Sequence, residues 1–175
     1  MLQLLRSDFP AQPLPTAISD LIERAEDAIE AYREALGEQL NPRFEMADYR
    51  EVASALITIQ NDKLTQGPNC IEWGAGFAVV AAIANQLGFK ASGVENDPIL
   101  LAAARQFHAD EGLDTNLIEA DYREPIHARA DLIYAYPWPK EVKAVKEHVA
   151  ATAMPGTHLL LFRSFGEMEL WHLAE

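Results

Sequence analysis

Cysteine is almost missing from this sequence. Cys70 is the only one in 175 residues, so an internal disulfide and a cysteine-rich metal framework are both excluded. That points to a reducing, cytoplasmic setting. The five histidines, His108, His127, His148, His158 and His172, lack the His-x-x-x-His type of spacing, and no metal site is expected. Basic residues are scarce as well. Lys and Arg number 14 against 27 Asp and Glu, a formal charge of −13. Phosphate backbones need a basic surface, so nucleic acid is disfavoured as a partner. No apolar run approaches the roughly 18 residues that span a bilayer. The opening Met1 to Pro10 is broken by Arg6 and Asp8, unlike a signal peptide. Internal repeats and low-complexity segments are absent too.

What is present suits one folded domain. The apolar share of 49% is enough to offset the entropy of ordering the chain. Residues 1–66 read as a helical lead. Ile18, Leu21, Ile22, Ala25, Ile29, Tyr32 and Leu36 follow the 3.6-residue period from Thr16, and Gly37 supplies a stop. The opposite face is rich in Glu, Asp and Arg, which is a solvated face. The apolar stripe is expected to pack on the rest of the chain or on a second copy, and the sequence leaves the oligomeric state open. A second helix is expected from about Asp48 to Leu64, ahead of the breaker cluster Gln66-Gly67-Pro68-Asn69.

Residues 67–175 change pattern. Strands are expected at Cys70–Trp73, Ala91–Glu95, Thr115–Glu119, Asp131–Tyr136, His158–Phe162 and Met168–Leu173. Helices are expected at Phe77–Leu87, Pro98–Glu111 and Lys140–Ala151. This alternation predicts an α/β, Rossmann-like doubly wound sheet of six mostly parallel strands, preceded by the N-terminal helices. The link Arg163 to Glu167 is too short for a parallel crossover, so the last strand is expected to be antiparallel. His158 and His172 then become neighbours across that hairpin, with a surface pair as the default. Cys70 reads as a small core residue rather than a nucleophile.

Three features gather at the ends of the first three of these strands. Glu72-Trp73-Gly74-Ala75-Gly76-Phe77-Ala78 joins the first strand to its helix, and its glycines permit a sharp turn and close approach of a ligand. Position 79, where a dinucleotide fingerprint wants glycine, is Val79, and the third small residue is Ala78. Glu95 ends the second strand, where a carboxylate can accept from both hydroxyls of a ribose. Asp121 and Tyr122 follow the third, where an acid can accept from an adenine amino group and a ring can lie against the base. Each has a bland alternative: a tight turn, the start of the Asn96-Asp97-Pro98 helix cap, and a loop acid. Together they point to an adenosine-type ligand.

The runs Ile71 to Leu87, Gly93-Val94-Glu95-Asn96-Asp97, Glu119-Ala120-Asp121-Tyr122 and Asp131 to Pro139 resemble the class I S-adenosylmethionine-dependent methyltransferases. Phe44-x-x-x-Asp48-Tyr49, the glycine loop and Tyr134-Ala135-Tyr136-Pro137-Trp138-Pro139 resemble a group of small bacterial members, and the layout is similar to small protein-lysine methyltransferases. The resemblance implies S-adenosyl-L-methionine as cofactor. Glu72, Gly74, Ala75 and Gly76 would line its methionine part, Glu95 with Asn96 its ribose, and Asp121 with Tyr122 its adenine. Tyr49 and Phe44 would cover it from the lead. Tyr136 and Trp138, after the fourth of these strands, would face the transferring methyl, although both could equally be a core residue and a helix start. The acceptor implied is a small molecule or a protein side chain. Two departures stand out. Six strands are recognisable where the family usually has seven, and Ala135-Tyr136-Pro137-Trp138 matches only half of the Asn-Pro-Pro-Tyr motif of base methylation. The alternatives are a non-catalytic nucleoside-binding module and an NAD-type oxidoreductase, the latter weakened by Val79.

Overall fold

The apolar stripe of the lead forms helix α1, Thr16–Leu36, and buries Ile18, Leu21, Ile22, Ala25 and Ile29. Each fully buried Ile or Leu is worth roughly 1.5–3 kcal/mol, so this face rather than intrinsic propensity holds the helix. The stripe packs on the body of the same chain, in one cluster with residues of α2 (Tyr49–Asn61) and α3 (Val79–Gln86). Gly37 takes φ 50° and ends α1. Asp48 caps α2, its Oδ1 accepting from Arg50 N and Glu51 N. This computed structural model describes residues 1–164 and 166–174.

The sheet is built from β1 (Leu2–Arg6), β2 (Asn69–Trp73), β3 (Lys90–Glu95), β4 (Asn116–Glu119), β5 (Leu132–Ala135), β6 (His158–Ser164) and β7 (Glu167–Leu173). Its order is β1-β7-β6-β5-β2-β3-β4. Strands β2 to β6 pair in parallel, and β7 is antiparallel to β6, as the short connection requires. The seventh strand corrects the expected six. Leu2–Arg6 pairs antiparallel to β7, with Leu2 opposite Leu173, so the lead begins as a strand. Leu-Gln-Leu-Leu has no β-branched residue and no alternation, and its partner is at the far end of the chain, so no local pattern reveals it.

Helices α1 to α3, with α4 (Pro98–Asp110), pack on one face of the sheet, and α5 (Val142–Thr152) packs on the other. Cys70 is buried, and with Leu132, Tyr134, Leu160 and Phe162 it forms the first face. Ile71, Trp73, Ile133 and Leu159 alternate onto the second. His158 and His172 are opposite in register with ring centroids 4.7 Å apart, but His158 is buried rather than on the surface. No helix among the described residues is long and apolar enough to cross a membrane.

Candidate functional site

In this strand order the chain leaves β2 toward β3 on one side and returns to β5 on the other. The gap between the C-terminal ends of β2 and β5 is therefore a topological switch point, where open α/β sheets bind ligands. The glycine loop starts there. Gly74 has φ 63°, its backbone is exposed, and a Cβ built on it would meet nothing within 4 Å among the described residues. Gly76 has φ 55° and lies beneath Phe44, whose ring would be 2.9 Å from such a Cβ. Helix α3 begins at Val79 instead of Phe77 because the loop runs on to Ala78, itself at φ 53°.

The loop is seated on β3. Ala75 N donates to Val94 O at 2.9 Å, and Gly76 N donates to Glu95 Oε2 at 2.9 Å. Gly93 makes this approach possible, since a Cβ on it would be 2.9 Å from the Cβ atoms of both Ala75 and Ala78. Gly93 carried no role in the sequence reading. A glycine inside a strand is the available signal, because it marks close approach of other backbone. Glu95 is 7% exposed. Its Oε1 accepts from Asn96 N and Asp97 N, each at 2.9 Å. Asp97 caps α4 separately through Ile99 N and Leu100 N. A carboxylate offers about four acceptor sites, so Glu95, with three filled, keeps room for one more donor.

Glu72 and Tyr49 form a second, deeper group. Glu72 is buried, and its Oε2 accepts from Ala81 N at 2.7 Å, beneath the first turn of α3. Burial, aided by the charge of Glu95, pushes its carboxyl up to about 8 against the hydrogen bonds from Ala81 and Val80. Burial, with Glu72 nearby, likewise raises the Tyr49 and Tyr134 phenols. The Tyr134 hydroxyl has no hydrogen-bond partner among the described residues. Glu72 and Tyr49 are thus both buried, Glu72 beneath α3, whereas Gly74 and Asn96 are exposed with Ala75, Gly76 and Glu95 buried beside them.

At the end of β4, Asp121 faces Arg123 rather than open space. Arg123 Nε is 2.9 Å from both carboxylate oxygens, and this guanidinium, with the Arg123 N–H, pulls the Asp121 carboxyl down to about 2. Arg123 was not foreseen, and an Asp-x-Arg turn is its only local signature. Tyr122 stacks on Trp73 with centroids 5.0 Å apart. Across the switch point, half-buried Tyr136 meets Phe162 edge-on at 4.8 Å, and Trp138 is 37% exposed. Residues 41–44 run over the gap. Asn41 Nδ2 donates to Asp97 Oδ2 at 2.9 Å on one side, Arg43 pairs with Glu141 on the other, and Phe44 stacks on Phe77 between them.

No protein-family model matches this chain, and no curated protein matches it in sequence. Solved structures do match in shape. An RNA methyltransferase from Salinibacter ruber in complex with S-adenosyl-L-homocysteine superposes with a TM-score of 0.62 at 16% identity, over 75% of this chain and 95% of that one. The ribosomal protein L11 methylase from Lactobacillus delbrueckii subsp. bulgaricus gives 0.58 at 14%, over 78% and 84%. A variant of MtNAS in complex with S-adenosylmethionine gives 0.59 at 14%, over 91% and 74%. The likeness is one of fold: the chain has the Rossmann-like fold of the class I S-adenosylmethionine-dependent methyltransferases.

Proposed function

We propose that the chain is an S-adenosylmethionine-dependent methyltransferase that binds its cofactor at the β2/β5 switch point. The observation that carries this is Gly74, an exposed backbone at φ 63° with clear space around it, beside a buried Glu95 that retains acceptor capacity. Those residues fit the group. Gly74, Ala75 and Gly76 admit the methionine part, Glu95 with Asn96 takes a ribose hydroxyl, and Asp121 with Tyr122 lies toward the adenine. Asp121 can turn from Arg123 at little cost, because exposed ion pairs are weak. Tyr49 and Glu72 act from beneath, supporting the loop and α3. Residues 1–66 and 67–175 work as one unit, with the lead as roof.

When bound, S-adenosylmethionine supplies a methyl group on a positively charged sulfur. The protein's task is then to align an acceptor and exclude water. Tyr136 and Trp138 offer aromatic faces at the end of β5, worth roughly 0.5–2 kcal/mol each against a cation. Burial raises the Tyr136 phenol, with the charge of Glu45 adding to it. The hydroxyl therefore stays protonated at neutral pH and serves to orient an acceptor, not to strip its proton. An amine acceptor must arrive neutral or lose its proton to solvent, whereas a carboxylate needs no base.

The acceptor proposed is a small molecule or a protein side chain. Its basis against nucleic acid is the charge of −13 alone. The fold lends that exclusion no support, since one neighbour is an RNA methyltransferase. Isothermal calorimetry with S-adenosylhomocysteine tests the cofactor, and a labelled-methyl screen of separated small-molecule, protein and RNA fractions tests the acceptor. Absence of any S-adenosylhomocysteine or S-adenosylmethionine binding by the intact chain overturns the proposal.

A further inference from the structure

His108 lies on α4, outside the crevice, yet its ring reaches the glycine loop. It is 3% exposed, and its Nε2 is 2.9 Å from the carbonyl oxygen of Phe77. A carbonyl oxygen only accepts, so Nε2 carries the hydrogen and the ring is the neutral Nε2–H tautomer. The other nitrogen, Nδ1, is buried and has no hydrogen-bond partner among the described residues. Burial also holds the ring below the ordinary histidine range, which keeps it neutral.

An apolar side chain of similar size would fill this space without leaving a buried nitrogen unpaired, which is costly in a packed interior. What the imidazole adds is the bond to Phe77. That carbonyl belongs to the residue between Gly76 and Ala78, both held at positive φ. The loop is therefore gripped on two sides. Glu95 on β3 takes the N–H of Gly76, and His108 on α4 gives a hydrogen to the carbonyl of Phe77. The two bonds hold the peptide units on either side of the Gly76–Phe77 link, Ala75–Gly76 through its N–H and Phe77–Ala78 through its C=O, so the loop is pinned both before and after it.

We infer that His108 is a positioning residue: it fixes the Phe77 carbonyl from α4 and so preorganises the loop for its ligand. Groups that hold a binding loop in one geometry raise affinity without touching the ligand. The ligand half of this statement rests on the proposed cofactor, and the loop half does not.

Two variants separate the bond from the packing. H108L keeps the bulk and removes the donor, and H108Q places an amide N–H within reach of the carbonyl. In the free protein, H108L is expected to speed amide hydrogen exchange at Gly76 and Ala78 by about tenfold, with β5 and β6 unchanged. H108Q should stay within about threefold of wild type. Affinity for S-adenosylhomocysteine should fall about tenfold in H108L and recover in H108Q. If H108L does not fold, H108N replaces it, because Asn is one methylene too short to reach the carbonyl. Wild-type exchange at Gly76 and Ala78 in H108L or H108N overturns the inference, as does an H108Q that matches them in both readouts. If wild type itself binds no S-adenosylhomocysteine, the proposed cofactor fails, and the exchange experiment still decides the role of His108.

Discussion

Glu95 holds Gly76. Its Oε2 accepts the Gly76 N–H at 2.9 Å, while its Oε1 accepts Asn96 and Asp97 N–H groups at 2.9 Å. One side chain thus ties the glycine loop to the start of α4, and three donors converge on it. Glutamine cannot serve them, because one end of its amide is itself a donor. E95Q is expected to cost about 1.5–3 kcal/mol, a fall of roughly 3 to 12 °C in thermal midpoint. S-adenosylhomocysteine binding should weaken by at least about tenfold. Scanning and titration calorimetry check both, and an unchanged midpoint would contradict the geometry.

Two glycines of the site should respond differently to alanine. At Gly74 a Cβ meets nothing among the described residues, so G74A carries only the strain of φ 63°, about 1–2 kcal/mol. Its methyl group projects into the space proposed for the ligand, so binding should be lost from a protein that still folds. At Gly93 a Cβ meets Ala75 and Ala78 at 2.9 Å. G93A should lift the loop, costing about 1–3 kcal/mol and weakening binding together with stability. Binding isotherms beside unfolding curves distinguish the two patterns.

Glu72 makes stability depend on pH in a definite direction. Burial raises its folded carboxyl from the ordinary 4.5 to about 8. The folded protein therefore holds a proton that the unfolded chain releases. The resulting contribution is fully present below about 4.5 and is lost as pH rises through about 8. Wild type is expected to lose thermal midpoint between pH 5 and 8.5 more steeply than E72Q, which has no proton to lose. Equal slopes would argue against a buried neutral carboxyl.

Strand β1 protects an edge. Without it, β7 would present a full row of unpaired N–H and C=O groups, a template for pairing with other chains. Deleting residues 1–6 should lower the thermal midpoint and produce concentration-dependent association, seen by light scattering after gel filtration. A truncated chain that stays as monodisperse as wild type would show that β1 has no such role.

Much of the fold was legible because its signals are local. The stripe from Ile18 to Leu36 and the stop at Gly37 bound α1 to the residue. Asp97-Pro98 announced α4, and the link after β6 was too short for anything but a hairpin. Within the site, Glu72, the glycine loop, Glu95 and Asp121 were legible as a set of acids and glycines at strand ends. Their partners were not. Glu72 reaches Ala81 and Glu95 reaches Gly76 through folded-state distances rather than spacing, and the local turn from Asp121 to Arg123 is a pattern too common to single out. Gly93 left only the hint of a glycine inside a strand, and His108 left none. One is a seat and the other a strut, and neither has meaning until β3 and α4 flank the loop. The missing strand β1 is the extreme case, since its pairing is the least local in the chain.

That last pairing also bears on how the chain folds. Leu2 lies opposite Leu173, so β1 pairs with a strand that follows it only after five others. Contacts of such long range are slow to form, because the loop they close must be ordered before they reward it. The helical face and the parallel centre, with their shorter connections, can assemble while β1 still hangs free. Completion of this edge is then a late step in folding, and during synthesis the apolar Leu2-Gln3-Leu4-Leu5 stays uncovered until β7 emerges.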